Sequence, residues 1–384
     1  MTSIGLIPQE WDIMPLGELC EFRNGYTPSK AVKGFWENGT IPWFRMEDIR
    51  EHGRILSDAI QHVTKEAIKG DLFSPNSIIM STTATIGEHA LLIADSLANQ
   101  RFTNLKIRKS LNDKVDVMWL YWYCYKIGEW CRENIHEGGL AAVNIVDLAK
   151  LEIPIPSLDE QKRIADALSA VDELIGALDE AVAKKRQIKE GLMQQLLTGK
   201  TRLPGFSGEL KESTLGQLAD ICKGIQFDSD LLSDNGCYPM LNGGITPSGY
   251  SEFYNTEAET ITISEGGNSC GYVNYMSKKF WCGGHCYSLK VKAIDKIYLY
   301  QLLKFNEKDI MALRVGSGLP NVQSKSLIDF RLYYPDNKQE QENISIILKK
   351  ADDEIAGLES QRDKYALIKQ GMMQELLTGH TRLK

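Results

Sequence analysis

Two stretches of the chain carry apolar residues at the alternating three- and four-residue spacing of a coiled-coil helix. In the first stretch these positions are Ile164, Leu168, Val171, Ile175, Leu178 and Val182, and after a break at Lys185 they resume at Ile188, Leu192 and Leu196. No proline lies between Leu158 and Leu197, and Gly199 follows at the position of a C-terminal cap. The pattern predicts one helix of about 40 residues, roughly 60 Å long.

A second stretch repeats the pattern. Its apolar positions are Ile344, Leu348, Ala351, Ile355 and Leu358, and after Arg362 they continue at Tyr365, Ile368, Met372 and Leu376. Each seam needs a partner, and the two are matched in length. We expect the two helices to pack on each other within one chain, antiparallel, with a globular module at each end. The alternative is an intermolecular coiled coil that forms a homodimer.

The chain is internally duplicated. IKEGLMQQLLTGKTRL (188–203) returns as IKQGMMQELLTGHTRL (368–383), with twelve of sixteen positions identical. LDEQKRI (158–164) and KQEQENI (338–344) share a Glu-Gln pair, and PLGELCEFRNG (15–25) parallels TLGQLADICKG (214–224). A repeat of this length indicates domain duplication rather than a solenoid. The halves keep their ends and their helix while their middles diverge, which predicts that the middles carry specificity; simple drift after duplication is the alternative.

The divergent middles predict two mixed α and β modules. Short β-rich runs at 77–87, 260–264 and 287–292 alternate with turn residues. Residues 115–130 and 296–306 predict helices whose apolar or aromatic face belongs to a core rather than to a base-stacking platform. The predicted fold class is α+β, with a pseudo-twofold repeat. The predicted boundaries are 1–157 and 204–335 for the modules, and 158–203 and 336–384 for the helical segments.

Composition describes an ordinary globular protein of 384 residues, with 43% hydrophobic and 25% charged residues. No apolar run approaches the ~18 residues of a membrane span, and the first residues do not resemble a secretory signal. The eight cysteines include no CxxC pair, so we expect reduced thiols and a cytoplasmic location. The net charge of −7 argues against a simple DNA-coating protein. Binding to DNA would need basic residues concentrated on one face, or a partner that supplies backbone contacts.

Catalytic motifs are not recognisable. The sequence has no phosphate-binding Walker loop, no GxGxxG after a strand, no base-methylation motif and no nuclease triad. Cys282, His285 and Cys286, with Cys270 upstream, are the one cluster with metal-like spacing. They lie in WCGGHCYSL, which is more typical of a strand entered through a glycine turn, so we expect buried thiols and no metal.

Polar loops recur in both modules and carry the binding hypothesis. Asn, Gln and Arg side chains read base edges, while Lys, Ser and Thr suit phosphates. Any single loop is more often an ordinary turn, and the recurrence is what favours DNA. The predicted DNA-binding residues are Asn24, Lys30, Arg45, Thr82, Thr83 and Arg101 in the first module, and Lys223, Gln226, Asn242, Asn268, Lys278 and Lys279 in the second.

These features resemble the specificity (S) subunits of type I restriction–modification enzymes across nearly the whole chain. The resemblance rests on PLGEL, IPWFRMEDI, STTATIG, NQR, IPIPSLDEQKRIADAL, GSGLPNVQSKSL and both LLTG-x-TRL segments. The chain departs from the pattern in the second module, which has YYPDNKQEQ where the first has IPIPSLDEQ, and in the first module, which has GGLAAVN where the second has GSGLPN.

The resemblance implies a non-catalytic subunit in which each middle is a target recognition domain for one half of a bipartite, asymmetric DNA site. The two helices would form a rod that fixes the spacer between half-sites. Two modification subunits would methylate adenine with S-adenosylmethionine, and restriction subunits would use ATP and Mg²⁺, so no cofactor is expected on this chain. Leu192, Met193, Met372 and Met373 are candidates for the subunit interface, or else ordinary core. A coiled-coil protein adaptor without DNA specificity and a self-contained enzyme are the alternatives.

Overall fold

A computed structural model of the chain describes residues 7–135, 141–228, 232, 236–316, 318 and 320–383. The chain forms two compact units. Unit 1 comprises Met1–Ala177 and Arg362–Lys384, and unit 2 comprises Leu178–Gln361. Each unit therefore joins one predicted module to parts of both long helices. The separation of modules from helical segments at 157, 203 and 335 stays a prediction.

Unit 1 is built from short strands and helices that precede the first long helix. Its strands are β1 (Asp12–Pro15), β2 (Cys20–Asn24), β3 (Ile41–Phe44), β4 (Ile55–Leu56), β5 (His62–Val63), β6 (Ser77–Ser81), β7 (His89–Leu92), β8 (Leu97–Ala98), β9 (Phe102–Ile107) and β10 (Glu152–Ile155). Its helices are α1 (Leu16–Leu19), α2 (Met46–His52), α3 (Val117–Glu133), α4 (Ile145–Lys150) and the start of α5 (Leu158–Leu196).

The strands of unit 1 form three sheets. A main sheet has the order β2-β9-β6-β7-β4, a smaller sheet has the order β5-β3-β8, and β1 pairs with β10. The main sheet and α3 enclose a core that contains Trp119 and Trp122, each almost fully buried. The aromatic face of α3 is therefore core, as predicted.

Unit 2 repeats this plan. Its strands are β11 (Lys211–Thr214), β12 (Ala219–Lys223), β13 (Tyr238–Leu241), β14 (Gly249–Ser251), β15 (Thr260–Ser264), β16 (Val273–Met276), β17 (Trp281–Cys282), β18 (Cys286–Val291) and β19 (Arg331–Tyr334). Its helices are α6 (Leu215–Leu218), α7 (Lys296–Phe305), α8 (Glu307–Ala312), α9 (Ser324–Ile328) and part of α10 (Lys338–Leu376).

The sheet orders of the two units correspond, except that among the described residues no strand of unit 2 takes the place of β4 at the edge of the main sheet. Unit 2 has β12-β18-β15-β16, β14-β13-β17 and β11-β19. In both smaller sheets the central strand pairs in parallel with the strand that leads into the main sheet, β3 with β8 and β13 with β17. The α+β class and the internal repeat predicted from the sequence are thus confirmed.

The long helices pair within one chain and run antiparallel inside each unit. In unit 1, Asp172 of α5 forms an ion pair with Lys369 of α10. In unit 2, Lys189 lies 2.5 Å from Asp352, and Arg186, earlier in α5, lies 2.5 Å from Glu359, later in α10. The intramolecular pairing is confirmed. Placement of the modules at opposite ends stays a prediction.

The predicted seam is only partly right. Ile164, Leu168, Ile344 and Leu348 are buried, as their spacing indicates. Ile188 and Ile368, where the pattern was expected to resume, are 47% and 39% exposed. Near them, Lys189 and Lys369 make the ion pairs described above, so charged contacts replace apolar ones there.

The duplicated LLTG-x-TRL segment ends each long helix with the same turn. Gly199 and Gly379 have φ of +68° and +73°, a left-handed conformation that glycine adopts without strain. Two residues later a threonine closes the turn: Thr201 N donates to Gln195 O at 3.0 Å, and Thr381 N donates to Glu375 O at 3.2 Å. The cap predicted at Gly199 is confirmed.

The arginine of each TRL segment forms a bidentate pair with the first-turn glutamate of the other long helix. Arg382 Nε and Nη2 lie 2.6 and 2.7 Å from the Glu160 carboxylate oxygens. Arg202 pairs with Glu340 in the same way. The Glu160 and Glu340 side chains are 3% and 0% exposed. The glutamate belongs to the duplicated Glu-Gln motif and the arginine to the duplicated TRL motif. The two motifs therefore contact each other in both units.

The neighbouring glutamine anchors each long helix to its module. Gln161 Oε1 accepts from the backbone N of Asp116 at 2.8 Å, and Gln341 Oε1 accepts from that of Asp295 at 2.9 Å. Asp116 and Asp295 are the N-caps of α3 and α7. In each Glu-Gln pair, therefore, the glutamate contacts the end of the other long helix and the glutamine contacts the module.

The four proposed interface residues pack against the cores of their own units. Met193 is 8% exposed and belongs to the core of unit 2, and Leu192 packs beside it. Met372 and Met373 are partly buried against the core of unit 1. This placement favours the core alternative, and a role in docking another subunit stays a prediction. Among the described residues, no helix combines the length and apolar character needed to cross a bilayer.

Replacing Arg202 with methionine should destabilise the protein strongly, because it leaves the Glu340 carboxylate buried without its partner. We expect a loss of about 3–5 kcal/mol in the free energy of unfolding, measured by chemical denaturation. Arg331→Met is the matched control, since Arg331 forms an exposed pair with Glu212 and should cost below about 1 kcal/mol. Equal effects of the two variants would contradict the assigned role of the buried pair.

Stability should also depend on the ionisation of Glu160. Burial raises the pKa of this carboxyl, but hydrogen bonds from Arg382 and Trp11 outweigh it and hold the pKa below its ordinary value of 4.5. The ionised Glu160 therefore stabilises the folded protein above pH 4.5, and this stabilisation is lost as the pH falls through the folded-state pKa. Unfolding of the protein and of Glu160→Gln, measured from about pH 7 to about pH 3, should converge at the acid end. A pH-independent difference would refute this.

Candidate nucleic-acid interface

In unit 1 the polar loops predicted from the sequence meet at one end of the main sheet. Strands β2 and β6 both end there, and β9, which lies between them and runs antiparallel to both, begins there. This arrangement brings together Asn24 at the end of β2, Thr82 after β6, and Arg101 just before β9. Parallel pairing of β3 with β8 places Arg45 and Asn99, which follow those strands, side by side.

A recess of about 350 Å³ opens at this sheet end. Its polar lining is mostly basic or amide in character, and one acidic residue borders it. The lining residues are Thr27, Lys30, Trp43, Arg45, Met46, Glu47, Asn99, Gln100 and Arg101. Three of the six residues predicted in this module, Lys30, Arg45 and Arg101, thus share one surface. Thr27 Oγ1 donates to Gln100 Oε1 across the recess.

Arg45 is held by its neighbours while part of its guanidinium stays available. Its backbone N donates to Asp48 Oδ2 at 2.7 Å, and its Nε lies 3.7 Å from the same oxygen. Asp48 is buried and also accepts from the backbone N of Ile60. The guanidinium carbon lies 5.8 Å from the centre of the Trp43 ring. Such support fixes the direction of an arginine that reads a planar edge.

Thr82, predicted to bind DNA, is instead buried in a supporting network. Its side-chain oxygen lies 3.1 Å from that of Thr103, whose hydroxyl donates to Asn24 Oδ1 at 2.9 Å. Thr82 is 6% exposed, whereas Asn24 and Arg101 are exposed and Thr83 is half-buried. The geometry therefore favours a positioning role for Thr82, with Asn24 as the group that reaches the surface.

Unit 2 builds the same sheet end with the same backbone hydrogen bonds. The N of Thr82 donates to the carbonyl of Arg101 at 3.0 Å, and the N of Glu265 donates to that of His285 at 2.9 Å. The N of Asn99 donates to the carbonyl of Phe44 at 3.0 Å, and the N of Gly283 donates to that of Leu241 at 2.9 Å. Strand registers pair Asn24 with Thr103 and Lys223 with Tyr287.

Six positions are equivalent by these bonds and registers, and their residue types differ in every case. We call them the six readout positions; the buried members, Thr82, Thr103 and Tyr287, support the others through hydrogen bonds. The equivalent pairs, unit 1 first, are Asn24 and Lys223, Thr27 and Gln226, Arg45 and Asn242, Thr82 and Glu265, Arg101 and His285, and Thr103 and Tyr287.

At the readout positions of unit 2, a charged network replaces the neutral one of unit 1. Lys223 Nζ donates to Glu265 Oε1 at 2.8 Å, and the Tyr287 hydroxyl donates to the same oxygen at 2.9 Å. Burial, with Glu265 nearby, raises the pKa of Tyr287, so its hydroxyl keeps the proton it donates. Asn242 Oδ1 accepts from the backbone N of His285 at 3.2 Å, which directs its amide group.

The remaining predicted residues of unit 2 divide into two places. Lys223, Gln226 and Asn242 lie at the readout positions, and Asn268 is exposed on the loop after β15. Lys278 and Lys279 follow β16, whose far end pairs with the start of β15, so they lie at the opposite end of the sheet. Lys279 Nζ is bonded there to the Tyr254 hydroxyl at 2.9 Å. The structure does not bring these two lysines to the readout positions, and their contact with DNA stays a prediction.

The residues predicted to bind DNA did not include Glu265, His285, Thr103 or Tyr287, and His285 was considered only as part of the metal-like cluster. These residues can be recognised only after the strand pairing is known, because each one is identified as the neighbour of a residue on another strand. Cys270, Cys282 and Cys286 are buried, as expected, whereas His285 is exposed. The hydrogen bond with Cys282, together with burial, raises the pKa of the Cys286 thiol. Among the described residues no group of three His, Cys, Asp or Glu side chains could hold a metal ion.

A glycine at each sheet end lets two loops approach closely. A Cβ at Gly25 would lie 2.2 Å from the carbonyl oxygen of Asn99, and one at Gly224 would lie 2.2 Å from that of Gly283. Both clashes involve backbone, which cannot move without disturbing the neighbouring strand. These glycines belong to the segments FRNG and ICKG that the duplication preserves.

Comparison with known proteins identifies a family. The family model described as the type I restriction modification DNA specificity domain matches residues 8–190 and again 208–365. The EcoprrI specificity subunit of Escherichia coli is 33% identical over 359 residues, covering 89% of this chain and 87% of that protein. The MjaVIII specificity subunit of Methanocaldococcus jannaschii is 23% identical over 418 residues, covering 98% and 94%.

Two solved structures share the fold. The S subunit of a type I restriction–modification system from M. genitalium superposes with a TM-score of 0.70 at 20% identity, covering 98% of both chains. A structure from work on complex assembly and conformational transition of the type I system gives a TM-score of 0.58 at 17% identity, covering 98% of this chain and 100% of that one.

Gly25→Ala should damage the sheet end of unit 1, because the new methyl group meets backbone oxygens that cannot give way. We expect a loss of about 1–3 kcal/mol in the free energy of unfolding, measured by denaturation. Gly34→Ala is the control, since a Cβ there meets nothing within 4 Å and should change stability by less than about 0.5 kcal/mol. If both variants had the same free energy of unfolding, the close approach at Gly25 would not contribute to stability.

Proposed function

This chain belongs to the type I restriction modification DNA specificity family, and we propose that it reads a bipartite, asymmetric DNA sequence, with each unit reading one half-site. The observation that carries the proposal is the set of six readout positions. One backbone frame, repeated in both units, presents different polar side chains at equivalent places. Two readers of different chemistry require two different half-sites.

The chemistry of the first reader suits guanine and phosphate. Arg45, directed by Asp48 and Trp43, has the fork of donors that binds the O6 and N7 acceptors of guanine. Arg101 and Lys30 are exposed beside it and suit the phosphate backbone, which fixes register without reading sequence. Gln100, exposed in the same recess, carries the amide that reads adenine.

The second reader offers amides at two positions where the first offers a guanidinium group and a hydroxyl group. Asn242 stands in place of Arg45, and Gln226 in place of Thr27. Asn and Gln bind the N6 and N7 groups of adenine in a bidentate manner. The half-site of unit 2 should therefore differ from that of unit 1 in base content.

The acidic balance of the chain supports an assembly in which partners supply most backbone contacts. At a net charge of −7, this chain alone neutralises few phosphates. We therefore propose that two modification subunits and the restriction subunits surround the DNA. The modification subunits would bind S-adenosylmethionine and methylate adenine, and the restriction subunits would use ATP and Mg²⁺. The assembly would act in the cytoplasm. All named relatives are specificity subunits, which favours DNA reading over an adaptor without DNA specificity.

Methylome sequencing of a host that expresses this chain with its modification subunit tests the function. We expect a split motif with methylated adenine that appears with the chain and vanishes without it. Exchanging residues 1–150 for the module of another family member should change one half of the motif and leave the other half intact, because each unit has its own readout positions.

The control is a host that expresses the modification subunit alone. A motif that persists in that host, or the absence of any motif that depends on this chain, would refute the proposal. A module exchange that altered both halves at once would refute the assignment of one half-site to each unit.

A further inference from the structure

Glu265 has an acceptor that the protein does not use. Its Oε1 takes the bonds from Lys223 and Tyr287 described above. Its Oε2 lies 3.8 Å from His285 Nδ1, beyond hydrogen-bond distance, and no hydrogen bond to Oε2 is found among the described residues. The side chain is 15% exposed, so its position is fixed while one oxygen still reaches the surface.

The position of this carboxylate is unfavourable for any contact with the DNA backbone. A carboxylate accepts hydrogen bonds only, and phosphates repel it. The base edges of the major groove, however, present two exocyclic amino donors, N4 of cytosine and N6 of adenine. In the major groove, the remaining oxygen of such a carboxylate can accept a hydrogen bond only from one of these amino groups.

The neighbours of Glu265 make its presence there tolerable. Lys223 offsets its charge from one side, and Tyr287 fixes its rotamer from the other. The Tyr287 hydroxyl also lies 3.2 Å from the Val322 carbonyl, so it retains an acceptor if Glu265 is removed. Removal of the carboxylate therefore leaves no buried hydroxyl without a hydrogen-bond partner at Tyr287.

We infer that Glu265 is a specificity-determining residue that accepts a hydrogen bond from an exocyclic amino group, cytosine N4 or adenine N6, in the half-site of unit 2. The inference rests on the proposed function. It is specific to unit 2, because the equivalent Thr82 is buried and bonded to Thr103. Any base whose facing edge offers only acceptors is excluded by repulsion from Oε2.

The test is the methylome of a host that expresses Glu265→Met with the modification subunit. Methionine has a similar length but cannot accept this bond. One position of the second half-motif should lose its preference for cytosine or adenine by about 5- to 150-fold, and the first half-motif should be unchanged. The base that the unmodified chain requires at that position identifies the donor.

Two variants separate specificity from stability. Arg202→Met removes the partner of the buried Glu340 in the same unit and leaves all six readout positions unchanged, so it should lower thermal stability without relaxing the motif. Glu252→Gln alters an exposed glutamate of the same unit and should change neither. Thermal unfolding of each purified complex is measured alongside the methylome.

The outcomes distinguish the inference from the function on which it rests. If the unmodified chain directs a split motif and Glu265→Met leaves that motif unchanged, Glu265 does not read a base. If Glu265→Met and Arg202→Met relax the motif equally, Glu265 acts only through the fold, and the inference is overturned. If the unmodified chain directs no motif, the proposed function itself fails.

Discussion

The contact between a buried glutamate and the arginine that follows the opposite helix is the constraint on which each unit depends. The carboxylates of Glu160 and Glu340 are buried, and removing their partners, Arg382 and Arg202, would be strongly destabilising. Each contact fixes the start of one long helix against the end of the other. The adjacent glutamine then ties that start to the module through the N-cap of α3 or α7. Two neighbouring residues thus set both the helical pairing and the placement of the sheet.

This division of labour explains why the duplicated segments are so alike while the regions between them differ. A residue in LLTG-x-TRL meets a partner in the other copy's motif, so a change on one side requires a change on the other. At the six readout positions, the side chains bond to neighbours within their own unit and not to the other copy's motif. Glu265 and Thr82 hold the same place in the frame through their backbone atoms, and their side chains enter unrelated networks.

The sequence predicted the elements that follow from periodicity and local chemistry. The helix from Leu158 and its end at Gly199 were predictable because spacing and capping are local. The exposure of Ile188 was not, because nearby ion pairs replace apolar contacts there. The proximity of Glu265 to Lys223 and Tyr287 was also hidden, since it arises only because β18 lies between β12 and β15. Lys279 was grouped with the readout residues by its sequence neighbourhood, although β16 carries it to the other end of the sheet.

The frame at each sheet end is made of backbone hydrogen bonds and of glycines that let two loops meet. Backbone groups are common to nearly all amino acids, so they do not restrict which side chain a position carries. Substitution at a readout position therefore leaves the frame bonds in place, although a buried side chain such as Thr82 or Tyr287 must also suit its neighbours. At the exposed positions, a single substitution can change the polar group that the frame presents while the frame itself persists.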